Sequence, residues 1–252
     1  MTKIILHGCF GQMGQAIQKM AGKTEGFEFA AGVDAKPEAG IAHFPVFGKL
    51  DDCSAGADAV IDFSAAAAVP GLIGWCLEKN LPLVLCTTGL TDETEAAVRR
   101  ASEKLPIFKS ANMSLGINFM VSLLERASVV LGAEGFDIEI IEKHHNKKLD
   151  APSGTALMLA GAMNSGGQYT YAMDRSQRKQ KRPANEIGFS SVRGGTIVGE
   201  HSVIFAGQDE VIEISHTAFS KDVYAVGALK AAEFISRQPP GLYDMRDLIM
   251  KK

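Results

Sequence analysis

The segment Glu142-Lys143-His144-His145-Asn146-Lys147-Lys148-Leu149-Asp150-Ala151-Pro152-Ser153-Gly154-Thr155-Ala156 holds two of the chain's six histidines and three lysines, followed by Pro-Ser-Gly-Thr. A histidine titrates near neutrality and can deliver a proton. A lysine supplies fixed charge for a carboxylate, or acts as an acid once desolvated. The segment follows an apolar stretch predicted as a strand over 138–141 and precedes a predicted helix over 155–163, with Pro152 placed for its first turn. Ser153, Gly154 and Thr155 then offer hydroxyls and unpaired N–H groups at the positive helix end. The combination suits a carboxylate-bearing small molecule that takes up a proton as it reacts. A metal site is disfavoured: adjacent His144 and His145 point apart, and no Cys, Asp or Glu cluster completes a tetrahedral set. The structural alternative is a solvated basic turn with capping residues.

A second constellation lies near the N-terminus. Gly8-Cys9-Phe10-Gly11-Gln12-Met13-Gly14 follows a predicted strand over 4–7 and opens a predicted helix over 12–21. Glycines there allow a tight turn and let a pyrophosphate approach peptide N–H groups at the helix end. The spacing is G-x-x-G-x-x-G rather than G-x-G-x-x-G, and it gains weight from Asp34, at the end of the next predicted strand and 20 residues beyond Gly14. An acid there accepts hydrogen bonds from adenosine ribose hydroxyls. It also repels a 2′-phosphate and so favours NADH, while Lys36 leaves NADPH tolerated. The turns Cys86-Thr87-Thr88 and Ser110-Ala111-Asn112-Met113 fall where a doubly wound sheet places its ligand, at strand carboxyl ends.

The elements that must position these groups follow from the apolar pattern. Short apolar runs at 4–7, 29–33, 59–63, 83–86 and 107–109 alternate with helical stretches at 12–21, 69–79 and 92–104, with Thr91 as an N-cap. Strands alternating with helices predict a Rossmann-type doubly wound parallel sheet covered on both faces. After Asn112 the rhythm changes. A long helix is predicted over 115–131, with Leu115, Phe119, Leu123 and Arg126 a turn apart. Alternating strands follow at 137–140, 196–205 and 211–216, the last two joined by a hairpin signal at 206–209. These predict a second, α+β domain with an open antiparallel or mixed sheet, and a closing helix spans 223–236. The stretch 174–183 carries five basic residues and almost nothing apolar, and reads as a solvated loop.

The chain has 252 residues, 46% apolar and 22% charged, enough for one large or two ordinary domains. A net charge of −3, from 26 basic against 29 acidic residues, argues against a general nucleic-acid binder. Cysteines at 9, 53, 76 and 86 form no C-x-x-C pair and read as free thiols in the cytoplasm. No signal peptide is read at the N-terminus, and no stretch is read as approaching the ~20 apolar residues of a membrane span.

Essentially the whole chain resembles the 4-hydroxy-tetrahydrodipicolinate reductase (dihydrodipicolinate reductase) family. The run His144-His145-x-x-Lys148-x-Asp150-Ala151-Pro152-Ser153-Gly154-Thr155-Ala156 carries the likeness most specifically. It is supported by Gly8-x-x-Gly11-x-Met13-Gly14, Asp62-Phe63-Ser64, Thr87-Thr88-Gly89, Asn112-x-Ser114 and Arg193-x-Gly195-x-Ile197-Val198-Gly199-Glu200-His201. The resemblance implies reduction of 4-hydroxy-tetrahydrodipicolinate to tetrahydrodipicolinate by NADH or NADPH, in the diaminopimelate route to lysine. It implies a cofactor domain of residues 1–114 and 218–252, a substrate domain of 115–217, and a homotetramer formed through the sheets of the second domains. By the same resemblance His144 and Lys148 are proton donors, while His145, Ser153, Gly154 and Thr155 hold substrate carboxylate. Cofactor contacts fall on Gly8, Cys9, Phe10, Gly11, Gln12, Met13, Asp34, Cys86, Thr87, Thr88, Ser110, Ala111, Asn112 and Met113. This chain departs from many members at Gln12, where Arg is common and can hold a 2′-phosphate, and at Cys86, where Gly is common. The first departure adds to the preference for NADH. Rival readings are another nicotinamide-dependent dehydrogenase of similar plan, which has no need of the His144–Thr155 run, and a cofactor-binding redox sensor.

Overall fold

The computed structural model describes residues 1–250, and the chain divides into two compact units: Met1–Leu115 with Lys221 onward, and Gly116–Ser220. In the first unit, β1 (Thr2–His7), α1 (Gln12–Ala21), β2 (Phe27–Val33), β3 (Val46–Phe47), β4 (Ala59–Asp62), α2 (Val69–Lys79), β5 (Leu83–Leu85), α3 (Asp92–Ser102) and β6 (Pro106–Lys109) follow in order. Chain order continues with α4 (Leu115–Ala133), β7 (Asp137–His144), α5 (Gly154–Met163), β8 (Thr170–Ala172), β9 (Glu186–Arg193), β10 (Gly199–Ala206) and β11 (Val211–Ala218). It closes with α6 (Asp222–Ile235), β12 (Gly241–Tyr243) and α7 (Met245–Met250), which return to the first unit.

The first unit's seven strands are all parallel, in the order β12-β6-β5-β4-β1-β2-β3. Successive side chains of a strand enter opposite faces, so Ile4 and Leu6 join one buried cluster with Ile17 and Leu229, while Ile5 joins another with Leu72 and Val98. Covering on both faces explains the continuous apolar strands. The sequence placed α1 and α2 at their observed bounds, and Thr91 caps α3 by accepting from the Thr94 backbone N–H. It did not find β3, β8, β9, β12 or α7, which are short or, in β9, carry Ser190 and Ser191 on an outer half.

The second unit's sheet, β11-β10-β7-β9-β8, is mixed: β10 runs antiparallel to β7 and β11, whereas β9 runs parallel to β7 and β8. Its covered face meets α4 and α5 through Met120, Val121, Leu124 and Leu159. The turn-spaced Phe119 and Leu123 are exposed, and the neighbouring stripe of α4 is the buried one. At 19 residues α4 is long and apolar enough to cross a membrane, contrary to the expectation that no stretch nears that length. One stripe of it, through Met120, Val121 and Leu124, packs into the core of this unit, while Phe119, Leu123, Val129 and Val130 stay exposed.

The basic stretch is an exposed loop, as expected, but its arginines are paired with acids rather than free. Arg175 makes a paired contact with Glu139 at 2.6 and 2.7 Å and reaches Glu186 at 2.7 Å. Arg178 also holds Glu186, and Arg182 binds Asp137 and Glu139. These acids open β7 and β9, up to 45 positions away in sequence. Only strand pairing gathers them into a patch that the arginines neutralise; Lys179 and Lys181 stay exposed.

Candidate active site

In the first unit, strand order reverses beside β1, which lies between β2 and β4. Ligands of open α/β sheets bind at the carboxyl ends of strands at such a switch point. The turn after β1 is built for close approach. Gly8 has φ +78°, and a Cβ there would stand 2.6 Å from the Phe63 carbonyl oxygen. A Cβ on Gly14 would lie 2.3 Å from the Gly8 carbonyl oxygen, so only glycine lets α1 seat against the turn. Asp34, just past β2, accepts from the Phe10 N–H at 3.0 Å and the Lys36 N–H at 3.1 Å. A cavity of about 430 Å³ opens here, lined among others by Gly8, Phe10, Gly11, Asp34, Lys36 and Ser64. Glycine backbone, a carboxylate and this open volume fit the phosphates and ribose of a dinucleotide.

Beneath the turn sits Asp62, fully buried at the end of β4. His7 Nδ1 lies 2.7 Å from one carboxylate oxygen, the Thr87 hydroxyl donates to the other at 2.6 Å, and the Ser64 N–H donates at 3.2 Å. This network ties the loops after β1, β4 and β5 together. Of the sequence-derived cofactor residues, Gly8, Phe10, Gly11 and Asp34 line the one cavity. Cys9 instead joins the core and Met13 packs against it; Gln12 is exposed and accepts from Lys221 Nζ at 3.2 Å. Cys86 is buried, with its thiol pushed well above its ordinary range by burial. Thr87 serves Asp62, Thr88 and Ala111 are exposed, and the Ser110 hydroxyl donates to the Asn112 carbonyl at 2.8 Å. Met113 is buried against α6, where Gly227 leaves room for its carbonyl.

In the second unit β7 extends through His144, so the first histidine stands on a strand rather than in a loop. Glu142 and His144, two positions apart, share the covered face. The register sets Glu142 opposite His201 of β10, and His144 opposite Arg193 of β9. Glu142 is fully buried. It takes two bonds from the Arg193 guanidinium at 2.7 and 2.8 Å, one from the Ser153 N–H at 3.2 Å, and meets His144 Nδ1 at 2.5 Å. Burial pushes its carboxyl upward, but hydrogen bonds from Arg193, Ser191 and His144 prevail and hold it at about 2. His144 is drawn below its ordinary value by burial, against the opposing hydrogen bond and charge of Glu142. His201, more deeply buried and facing His144, falls to about 4.

The helix α5 starts at Gly154, one residue earlier than predicted, with Ser153 as N-cap and Pro152 outside the first turn. Ser153 Oγ accepts from the Ala156 N–H at 3.1 Å and lies 2.9 Å from His201 Nε2. Ser153 therefore binds the two histidine-bearing strands to α5, and its buried position turns it inward. Gly154 is exposed and Thr155 half-buried. Lys148 Nζ pairs with Asp150 at 2.7 Å, and His145 Nδ1 is buried without a hydrogen-bond partner. Lys143, on the opposite face of β7, pairs with Glu200 at 2.9 Å and Lys147 is exposed, so neither joins this cluster. Sequence reasoning missed Glu142, Arg193 and His201 as site residues. Glu142 was readable from the two-residue strand period, whereas Arg193 and His201 needed the register.

Residues 2–113 match the family described as "Dihydrodipicolinate reductase, N-terminus", and residues 116–249 match "Dihydrodipicolinate reductase, C-terminus". The 4-hydroxy-tetrahydrodipicolinate reductase of Caldanaerobacter subterraneus subsp. tengcongensis is 51% identical over 100% of this chain and 99% of its own length. That of Clostridium tetani is 49% identical over 97% and 96%. In fold, the chain is similar to a dipicolinate-bound dihydrodipicolinate reductase from Paenisporosarcina sp. TG-14, with a TM-score of 0.80, 23% identity and 97% of each chain covered. It is more distantly similar to the DAP dehydrogenase of C. glutamicum, with a TM-score of 0.56, 13% identity, and 97% and 92% coverage.

Proposed function

The chain belongs to the dihydrodipicolinate reductase family, and from that premise we propose that it reduces 4-hydroxy-tetrahydrodipicolinate to tetrahydrodipicolinate in the diaminopimelate route to lysine. It is a nicotinamide-dependent reductase, and the cofactor, when bound, would supply the hydride taken up by an electrophilic ring carbon of the substrate's conjugated imine once the 4-hydroxyl has left as water. Gly8, Phe10, Gly11 and Asp34 would hold the phosphates and ribose. With Asp34 in the cavity and Gln12 in place of a cation, NADH is the favoured partner and NADPH is tolerated.

The second unit binds the dianion and completes the addition with a proton. Lys148 and the backbone at Gly154–Thr155 take the carboxylates, His145 assists, and His144 protonates the carbon adjacent to the site of hydride addition, with Lys148 as its cationic neighbour. The observation that carries this reading is His144 backed by the buried Glu142 and set near Lys148, whose charge His144 feels. His144→Gln is expected to lower kcat by roughly 10²–10⁴ with a modest change in KM. An unchanged kcat removes His144 from proton transfer.

The enzyme is a cytoplasmic homotetramer in this reading. Its four cysteines are free and buried, suited to a reducing compartment. Val192 and Val211 stand exposed on the uncovered face of the second unit's sheet, apolar surface suited to pairing with another copy. Light scattering on the purified protein should give four times the 26.9 kDa chain mass; a monomer or dimer would refute the assembly.

A further inference from the structure

The imidazole of His144 has two nitrogens, and only one faces an acceptor that cannot donate. Glu142 is held ionised by Arg193, Ser153 and His144, and an ionised carboxylate only accepts. The 2.5 Å contact to Oε2 therefore places the proton on His144 Nδ1 in the neutral ring. Nε2 is left open on the side of Gly199, where an added Cβ would stand 3.1 Å away and cover it. The charged and titratable groups around this ring are Glu142 on its own strand, Arg193 on β9, His201 on β10, whose ring centre is 5.1 Å away, and Lys148 in the following loop. Arg193, Lys148 and a protonated His201 all oppose a charged His144; Glu142 alone favours it.

We propose that Glu142 is a positioning residue for this reaction: clamped by Arg193, it keeps the His144 N–H at Nδ1 and makes Nε2 the atom that takes up and delivers the proton. The step balances simply. Nε2 binds a proton from solvent, and the imidazolium is partnered by Glu142. The N–H bond at Nε2 then breaks as a C–H bond forms on the substrate carbon, whose electron pair comes from the bond that hydride addition has polarised. The ring returns to its neutral Nδ1–H form. The inference rests on the proton-donor reading of His144.

Two measurements test it. Long-range ¹H–¹⁵N spectra of the histidine-labelled full-length protein, with His144 assigned by its loss in His144→Gln, should show Nδ1 protonated and Nε2 bare at a pH where the ring is neutral. The reverse tautomer in the unsubstituted protein overturns the proposal. In Glu142→Gln the basic limb of the kcat–pH profile should move down by about one unit, and kcat at pH 7 should fall roughly tenfold or more, with KM changed less than about threefold. Glu142→Asp, which keeps the charge, should recover part of that loss. A Glu142→Gln profile superimposable on the parent's overturns the proposal. Full turnover by His144→Gln also overturns it, but by removing the reading beneath, and is distinguishable because the Nδ1–H signal persists in the parent.

Discussion

Lys148 Nζ lies 2.7 Å from Asp150 Oδ1, and the same carboxylate faces the Gly154 backbone N–H at the start of α5. The hydrogen bond from Lys148 draws the Asp150 carboxyl below its ordinary range. A side-chain carboxylate thus occupies the partners assigned to a substrate carboxylate. Asp150→Asn should release them and lower the KM for the dianionic substrate roughly two- to fivefold, the scale of an exposed ion pair. A raised KM would mean that Asp150 aligns Lys148 rather than competing with the substrate.

Acid should destabilise the protein through its buried histidines. His201 is depressed from 6.5 to about 4, so the unfolded chain binds more protons than the folded one between those values. The stability it contributes is complete above pH 6.5 and lost as pH falls towards 4, on the order of 3 kcal/mol. His144 and His216, also depressed, add in the same direction. Tm measured from pH 7.5 to 4 should fall most steeply below 6.5. His201→Gln, which preserves a polar group for Ser153, should flatten that slope; an unaltered slope would show that other groups dominate.

Cofactor preference should follow the charge around Asp34. Steady-state kcat/KM with each cofactor is expected to favour NADH, and a tenfold or greater preference for NADPH would refute the role given to Asp34. Gln12 is exposed at the first position of α1, so Gln12→Arg should fold normally and raise kcat/KM for NADPH roughly tenfold by adding a phosphate partner.

The arginine cluster should contribute to stability rather than to turnover. Glu186 is 2% exposed and accepts from Arg175 and Arg178. Glu186→Gln leaves the Arg178 guanidinium without a carboxylate and Arg175 with Glu139 alone, and should lower unfolding free energy by roughly 1 kcal/mol with kcat unchanged. Urea titration measures the first and initial rates the second; a loss of activity without a loss of stability would assign the cluster to the site.

Local rules made much of the molecule readable in advance. Short apolar runs separated by helical periods specified a parallel sheet, because a strand buried on both faces requires apolar side chains at consecutive positions. Thr91, the glycine turn and the Ser-Gly-Thr start of α5 were legible because capping and tight turns depend on residues within one helical turn. The spacing of Gly14 and Asp34 pointed to a dinucleotide turn for the same local reason, and the fold sets Asp34 against the Phe10 N–H. What tertiary structure decided was every relationship between distant positions. Arg193 meets Glu142 only because β9 pairs with β7 in one register, and a slip of one residue would send both side chains to opposite faces. His201 reaches Ser153 across 48 positions, and the arginines of 175–182 find acids that no local pattern marks as their partners. The types of the reactive groups are thus a property of the sequence. Which nitrogen of His144 carries its proton is set by a buried carboxylate whose charge persists only where strand pairing brings a guanidinium against it.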